Sequence, residues 1–160
     1  SDADYERAMC SFVLFCVDIV LVDEQTGRIY LTKRRIKPMQ GWWIIGGRVL
    51  PGQSARLAAV AKLKQEAGLR VTSDHLRYIM SARYMWKDRK QEPQDVGSDN
   101  FVQIYALPIT EAMRQTVEWN LNPNEYDSTA GLTSFDREDL VRADVHPVLI
   151  DLYDEIFVTN

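Results

Sequence analysis

The stretch from Gly41 to Val71, GWWIIGGRVLPGQSARLAAVAKLKQEAGLRV, constrains the fold more than any other part of the chain. A short apolar segment, Trp42–Ile45, runs into Gly46-Gly47 and then a Pro51-Gly52 turn. Ser54 follows, and its hydroxyl suits a helix N-cap. From Ala55 to Ala67 the composition is helical, with Leu57, Val60, Leu63 and Ala67 on one apolar stripe, and Gly68 stands where a helix C-cap belongs. A strand that feeds through two glycines and a turn into a capped helix is a fixed local unit, around which the other segments must pack.

Upstream, Asp4 to Ala8 reads as a short helix and Cys10 to Val22 as a buried strand with one polar intruder, Asp18. Glu24 to Gly27 is a turn, and Arg28 to Thr32 returns as the second strand of a hairpin. The basic cluster Lys33, Arg34, Arg35 and Lys37 precedes Pro38. Downstream, Leu76 to Trp86 and Phe101 to Leu107 read as strands around a polar loop, Lys87 to Asn100, long enough to be a lid. Val117 to Leu121 is expected as another strand, Phe135 to Ala143 as a short helix and Pro147 to Phe157 as a C-terminal helix. Strands and helices without regular alternation predict an α+β fold on a mixed β-sheet.

At 160 residues the chain suits one domain spanning 1–160. No apolar run approaches the ~18 residues of a membrane span, so no membrane partner is expected. A net charge of -4 offers no general attraction for long nucleic acid, although a local basic pocket for phosphates is compatible with it. Cys10 and Cys16, six residues apart in one expected strand, are too distant to pair and are read as buried thiols. The acidic N-terminus lacks the pattern of a secretory signal, which makes a cytoplasmic location the expectation.

The Gly41–Val71 segment resembles the Nudix box: Gly, five residues, Glu, seven residues, then Arg-Glu-apolar-any-Glu-Glu-any-Gly-apolar. Registered on Gly47, the positions of Leu63, Glu66, Gly68 and Leu69 match, whereas Gln53, Ala61, Lys62 and Gln65 replace chemical residues of the pattern. At about 100° per residue, positions 62, 65 and 66 share one side of the helix. That face, a carboxylate cluster for divalent metal in the pattern, here reads Lys, Gln, Glu with no net charge. The resemblance implies a mixed sheet sandwiched between helices, an α/β/α arrangement.

Within that superfamily the chain looks most like the GDP-mannose mannosyl hydrolase group. The likeness is carried by Asp18 in its apolar strand, Lys33-Arg34, Pro38 to Trp43, Gly46-Gly47-Arg48-Val49, and Asn124-Glu125-Tyr126-Asp127 ahead of Leu132-Thr133-Ser134. The resemblance implies a Mg²⁺-dependent hydrolase of a nucleotide sugar, with Mn²⁺ as the alternative metal, acting as a homodimer. By matching position, Gly46, Glu66 and Glu125 would hold the metal, Arg48 would face the diphosphate and Arg34 the nucleotide. Asp18 matches an acidic site residue, and Tyr126 stands where the group has its catalytic His. Glu125 is alternatively a loop base for phosphoanhydride hydrolysis. The same residues would also serve a domain that binds a nucleotide without turnover.

Each residue also has a plain structural reading. Asp18 can be a satisfied buried carboxylate, and Arg34 and Arg48 surface cations. Of Trp42 and Trp43, which face opposite ways in a strand, one belongs to the core and the other to a stacking or interface surface. Trp43 and Tyr84 are the candidate substrate-binding aromatics, with Trp86 beside the polar loop. His75 and His146, without ligand-spaced partners, are read as structural or exposed.

Overall fold

The computed structural model describes residues 2–89, 92–94 and 96–159. Its elements are α1 (Asp2–Ser11), β1 (Leu14–Asp23), β2 (Arg28–Arg34), β3 (Gly41–Trp43), β4 (Ile45–Arg48), α2 (Ala55–Ala67), β5 (Arg77–Trp86), β6 (Ser98–Pro108), α3 (Glu111–Asn120), β7 (Leu132–Phe135), α4 (Arg137–Arg142) and α5 (Pro147–Phe157). The strands form one mixed sheet of seven. β1 lies parallel to β6 from Leu14 to Val22 and antiparallel to β2 only at Leu21–Asp23. Below Leu21 the two hairpin strands part. β4 takes the free edge of β1, with Asp18 opposite Gly46, and β3 takes β2, with Thr32 opposite Trp43. The two short strands, joined through Ile44, thus fill the wedge between the diverging strands.

Alternation along β1 sends Val17, Ile19 and Leu21 to one face, where they meet Ala58, Ala59, Leu63 and Ala67 of α2 and Val117 of α3. Val20 and Val22 go to the other face and meet Leu140, Leu149, Leu152 and Ile156 of α4 and α5. The α/β/α sandwich is therefore the expected one. α2 starts on Ser54, whose side chain accepts from Leu57 N, and ends at Gly68 with φ 67.

Several expectations are corrected. Cys10 belongs to α1, which closes with Phe12 N donating to Ala8 O at 3.0 Å, so β1 begins at Leu14. Its thiol is exposed and that of Cys16 is half-buried. Leu57 is 59% exposed, because the small Ala58 and Ala59 turn toward the sheet and let α2 approach closely. Val117–Leu121 is not a strand: Thr110 caps α3, and Met113, Val117 and Leu121 recur at helical spacing on the α2 side of the core. Phe135 ends β7, a strand paired with Ile29–Thr32, and the following helix starts only at Arg137. The polar loop is shorter than expected, since Ser98–Asn100 already belong to β6; of its residues Lys90, Gln91 and Asp95 lie outside the described ones.

Candidate functional site

A cavity of about 290 Å³ opens where β1 and β2 diverge, on the face that α5 leaves uncovered at that end. Its floor is Cys16, Asp18, Gly46, Gly47 and Arg48, which the β1–β4 register places side by side. One wall is aromatic, formed by Trp43, Tyr84 and Trp86, and the rim carries Arg34, Lys37, Met39 and Glu125. The wall is rigid: Trp43 meets Tyr84 at 5.4 Å and Trp86 at 5.5 Å edge-on, with His146 behind at 5.6 Å. His146 also caps α5, its Nδ1 accepting from Val148 N at 3.3 Å, and burial lowers its pKa. His75 likewise serves a backbone turn, accepting from Thr72 N at 3.2 Å.

Gly46 allows Asp18 to sit on this floor. A Cβ at position 46 would lie 1.9 Å from Asp18 Oδ1 and 2.4 Å from Val17 O, so no side chain fits. Asp18 is 6% exposed, and desolvation drives its pKa up to about 7. Arg34 pulls it back and Glu66 pushes it further up. Among the described residues the buried hydroxyl of Tyr84 and the Nε of Arg34 have no hydrogen-bond partner within normal geometry, although burial and then the nearby Asp18 raise the pKa of that hydroxyl. Buried polar groups without partners are rare in finished cores, and both of these border the cavity.

The loop residues arrive by backbone pairing with the end of β2. Arg35 N donates to Glu125 O at 2.8 Å and Asp127 N to Lys33 O at 2.8 Å, flanking a bridge between Arg34 and Tyr126. Glu125 thereby reaches the rim. Tyr126 turns inward instead, 2% exposed, and donates to Glu66 Oε2 at 2.7 Å. Burial first, and the Glu66 charge second, raise its pKa, so at neutral pH it is a hydroxyl donor and not a base. The other oxygen of Glu66 faces Lys62 Nζ at 3.6 Å.

These contacts bear on the expected metal. Among the described residues no group of three or more His, Cys, Asp or Glu side chains could hold an ion. The one carboxylate on the box face, Glu66, already meets an ammonium and a hydroxyl, and Glu125 is carried on the rim by the loop that brings Tyr126. The donor set does not fit a resident divalent ion.

Of the residues expected from sequence, the structure brings Asp18, Arg34, Trp43, Gly46, Arg48, Tyr84 and Glu125 together around one cavity. Glu66 and Tyr126 form a pair beside it. Arg89 and Asn100, both buried at the cavity, were missed because they sit in the polar stretch Lys87 to Asn100, read as a whole as a loop or lid with no residue singled out. Asn100 accepts from Cys16 Sγ at 3.7 Å, and only the β1–β6 pairing brings these two together.

The chain belongs to the NUDIX domain family, whose model matches residues 15–156. Members of this family generally use divalent metal ions. Solved structures of the same fold include the NUDIX domain of Shewanella oneidensis NrtR complexed with ADP ribose, at 15% identity, covering 99% of each chain with a TM-score of 0.62. A MutT NUDIX hydrolase from Burkholderia pseudomallei is 18% identical over 89% of this chain and 97% of its own, with a TM-score of 0.65. The C. elegans Ap4A hydrolase is 15% identical over 91% and 96%, with a TM-score of 0.55. No curated protein matches the chain by sequence.

Proposed function

We propose that the chain is a Nudix hydrolase acting on a nucleoside diphosphate linked to a second group, in the finer reading a nucleotide sugar of the GDP-mannose kind. The observation that carries this is the composition of the cavity: a rigid aromatic wall for a base or sugar facing Arg34 and Arg48 for a diphosphate. Solved relatives with this fold include an Ap4A hydrolase and an ADP-ribose complex, both consistent with such a ligand.

In this reading the guanidinium of Arg48, at the end of β4, meets the diphosphate and stabilises charge as it leaves. A carboxylate at the cavity, Glu125 on the rim or Asp18 on the floor, takes the proton of the attacking water. The new bond joins the water oxygen to the sugar carbon, and the bond to the diphosphate oxygen breaks. Assembly as a homodimer belongs to the same reading.

A second reading, binding without turnover, is favoured by one observation: both oxygens of Glu66 are occupied by Lys62 and Tyr126. Calorimetric titration with GDP-mannose and ADP-ribose, followed by product analysis, separates the two. Binding accompanied by release of free sugar supports hydrolysis, and Arg48→Ala is expected to weaken binding about tenfold or more. Binding without products supports the second reading. If neither compound binds, both readings fail.

A further inference from the structure

We propose that the Lys62 ammonium takes the place of the divalent cation at this site, so that the ligand's diphosphate is held without metal. The inference rests on the reading above that the cavity takes a nucleoside diphosphate derivative. Lys62 lies one turn before Glu66 on α2, and its Nζ is 3.6 Å from Glu66 Oε1. Its side chain is only 24% exposed, unlike an ordinary solvated lysine. It lies along Gly47: a Cβ there would come within 2.7 Å of Lys62 Cε and 3.0 Å of Nζ. Gly47 lines the cavity and precedes Arg48, so the ammonium stands at the edge of the cavity floor, against the residue before Arg48.

Lys62 and Arg48 act on a common neighbour, since both charges lower the pKa of the Cys16 thiol against the larger effect of burial. With Lys62 lying against Gly47 and Arg48 next along β4, the two cations stand close together at the end of that strand. Glu66 anchors one of them, and Tyr126 holds Glu66 in turn. A divalent ion brought to Glu66 would meet the Lys62 charge first and be repelled by it. A diphosphate meets a preformed pair of positive groups, one a compact ammonium and one a planar fork.

The test is calorimetric titration of GDP-mannose and ADP-ribose into the whole chain, in EDTA and in excess Mg²⁺, for the native protein and for Lys62→Met and Lys62→Glu. Methionine keeps the aliphatic stem against Gly47, so its circular dichroism and melting curve check that the fold is retained. Native affinity is expected to agree within about twofold between the two buffers, with Lys62→Met weaker by about tenfold or more in both. Lys62→Glu, which places two carboxylates one helical turn apart, is expected to bind poorly in EDTA and to recover with Mg²⁺. Native binding that requires Mg²⁺ overturns the lysine's role and leaves the proposed function standing, as does a folded Lys62→Met that binds like the native chain. Absence of binding in every condition overturns the proposed function itself.

Discussion

Asp18 shows how a single residue sets a pH response. Its folded pKa of about 7 lies above the ordinary carboxylate value of 3.8. Between those values the folded chain holds a proton that the unfolded chain has released, so stability is greatest at the acid end of the window and falls as pH rises through it. A shift of that size corresponds to about 4 kcal/mol at roughly 1.4 kcal/mol per unit. Asp18→Asn, which keeps the shape and does not ionise, is expected to abolish the slope and to raise stability at about pH 8 more than at about pH 5. Urea denaturation at the two values checks this, and an equal or opposite change at both would contradict it. The same burial explains why the residue was readable as either structural or functional from sequence: an acid in an apolar strand is visible, whereas the cavity beside it is made by Gly46 and Tyr84, residues distant in the chain.

At the scale of elements, α4 depends on a clamp from β2. Arg28 Nη1 donates to Asp136 Oδ2 at 2.8 Å, Nη2 to Ser134 O at 3.2 Å and also to Asp139, joining β2 to the strand end and to the helix cap at once. Asp136 itself caps α4 by accepting from Asp139 N at 2.8 Å. Arg28→Ala is therefore expected to lower stability by about 1–2 kcal/mol, with faster amide exchange concentrated in residues 137–142. Uniform exchange across the chain would show that the clamp is not local.

The elements that were legible in the sequence are those with local signals. α2 was readable from Ser54 and Gly68, and the β1–β2 hairpin from its turn. β7 and α3 were not, because Leu132–Phe135 is too short for periodicity to speak, and Val117–Leu121 looks β-like until Met113 is counted with it. The candidate site was legible where the spacing of glycines fixed a register. Asn100 and the inward turn of Tyr126 depend on which strands pair, and Arg89 on its contact with Cys10 of α1; nothing local encodes these.

For the molecule as a whole, one surface stands out. Phe12 (69% exposed), Val13 (50%), Phe15 (38%) and Phe101 (42%) crowd the start of β1 and β6, with the Phe15 and Phe101 rings 6.1 Å apart. An apolar group of this kind on an outer face suits contact with a second copy. Sedimentation at concentrations on the order of 10 µM is expected to show a dimer, and Phe12→Glu combined with Phe101→Glu a monomer. A monomeric native chain would remove the homodimer from the reading.

The close approach at Gly46 is a demand of the sheet before it is one of the site. A Cβ there is excluded by main-chain atoms, Val17 O at 2.4 Å and Asp18 Cα at 2.8 Å, whatever side chain position 18 carries. The sheet therefore closes only with glycine at that position, whatever the site beside it does. A glycine at position 46 is thus a demand of the backbone itself, independent of whatever chemistry the neighbouring helix carries.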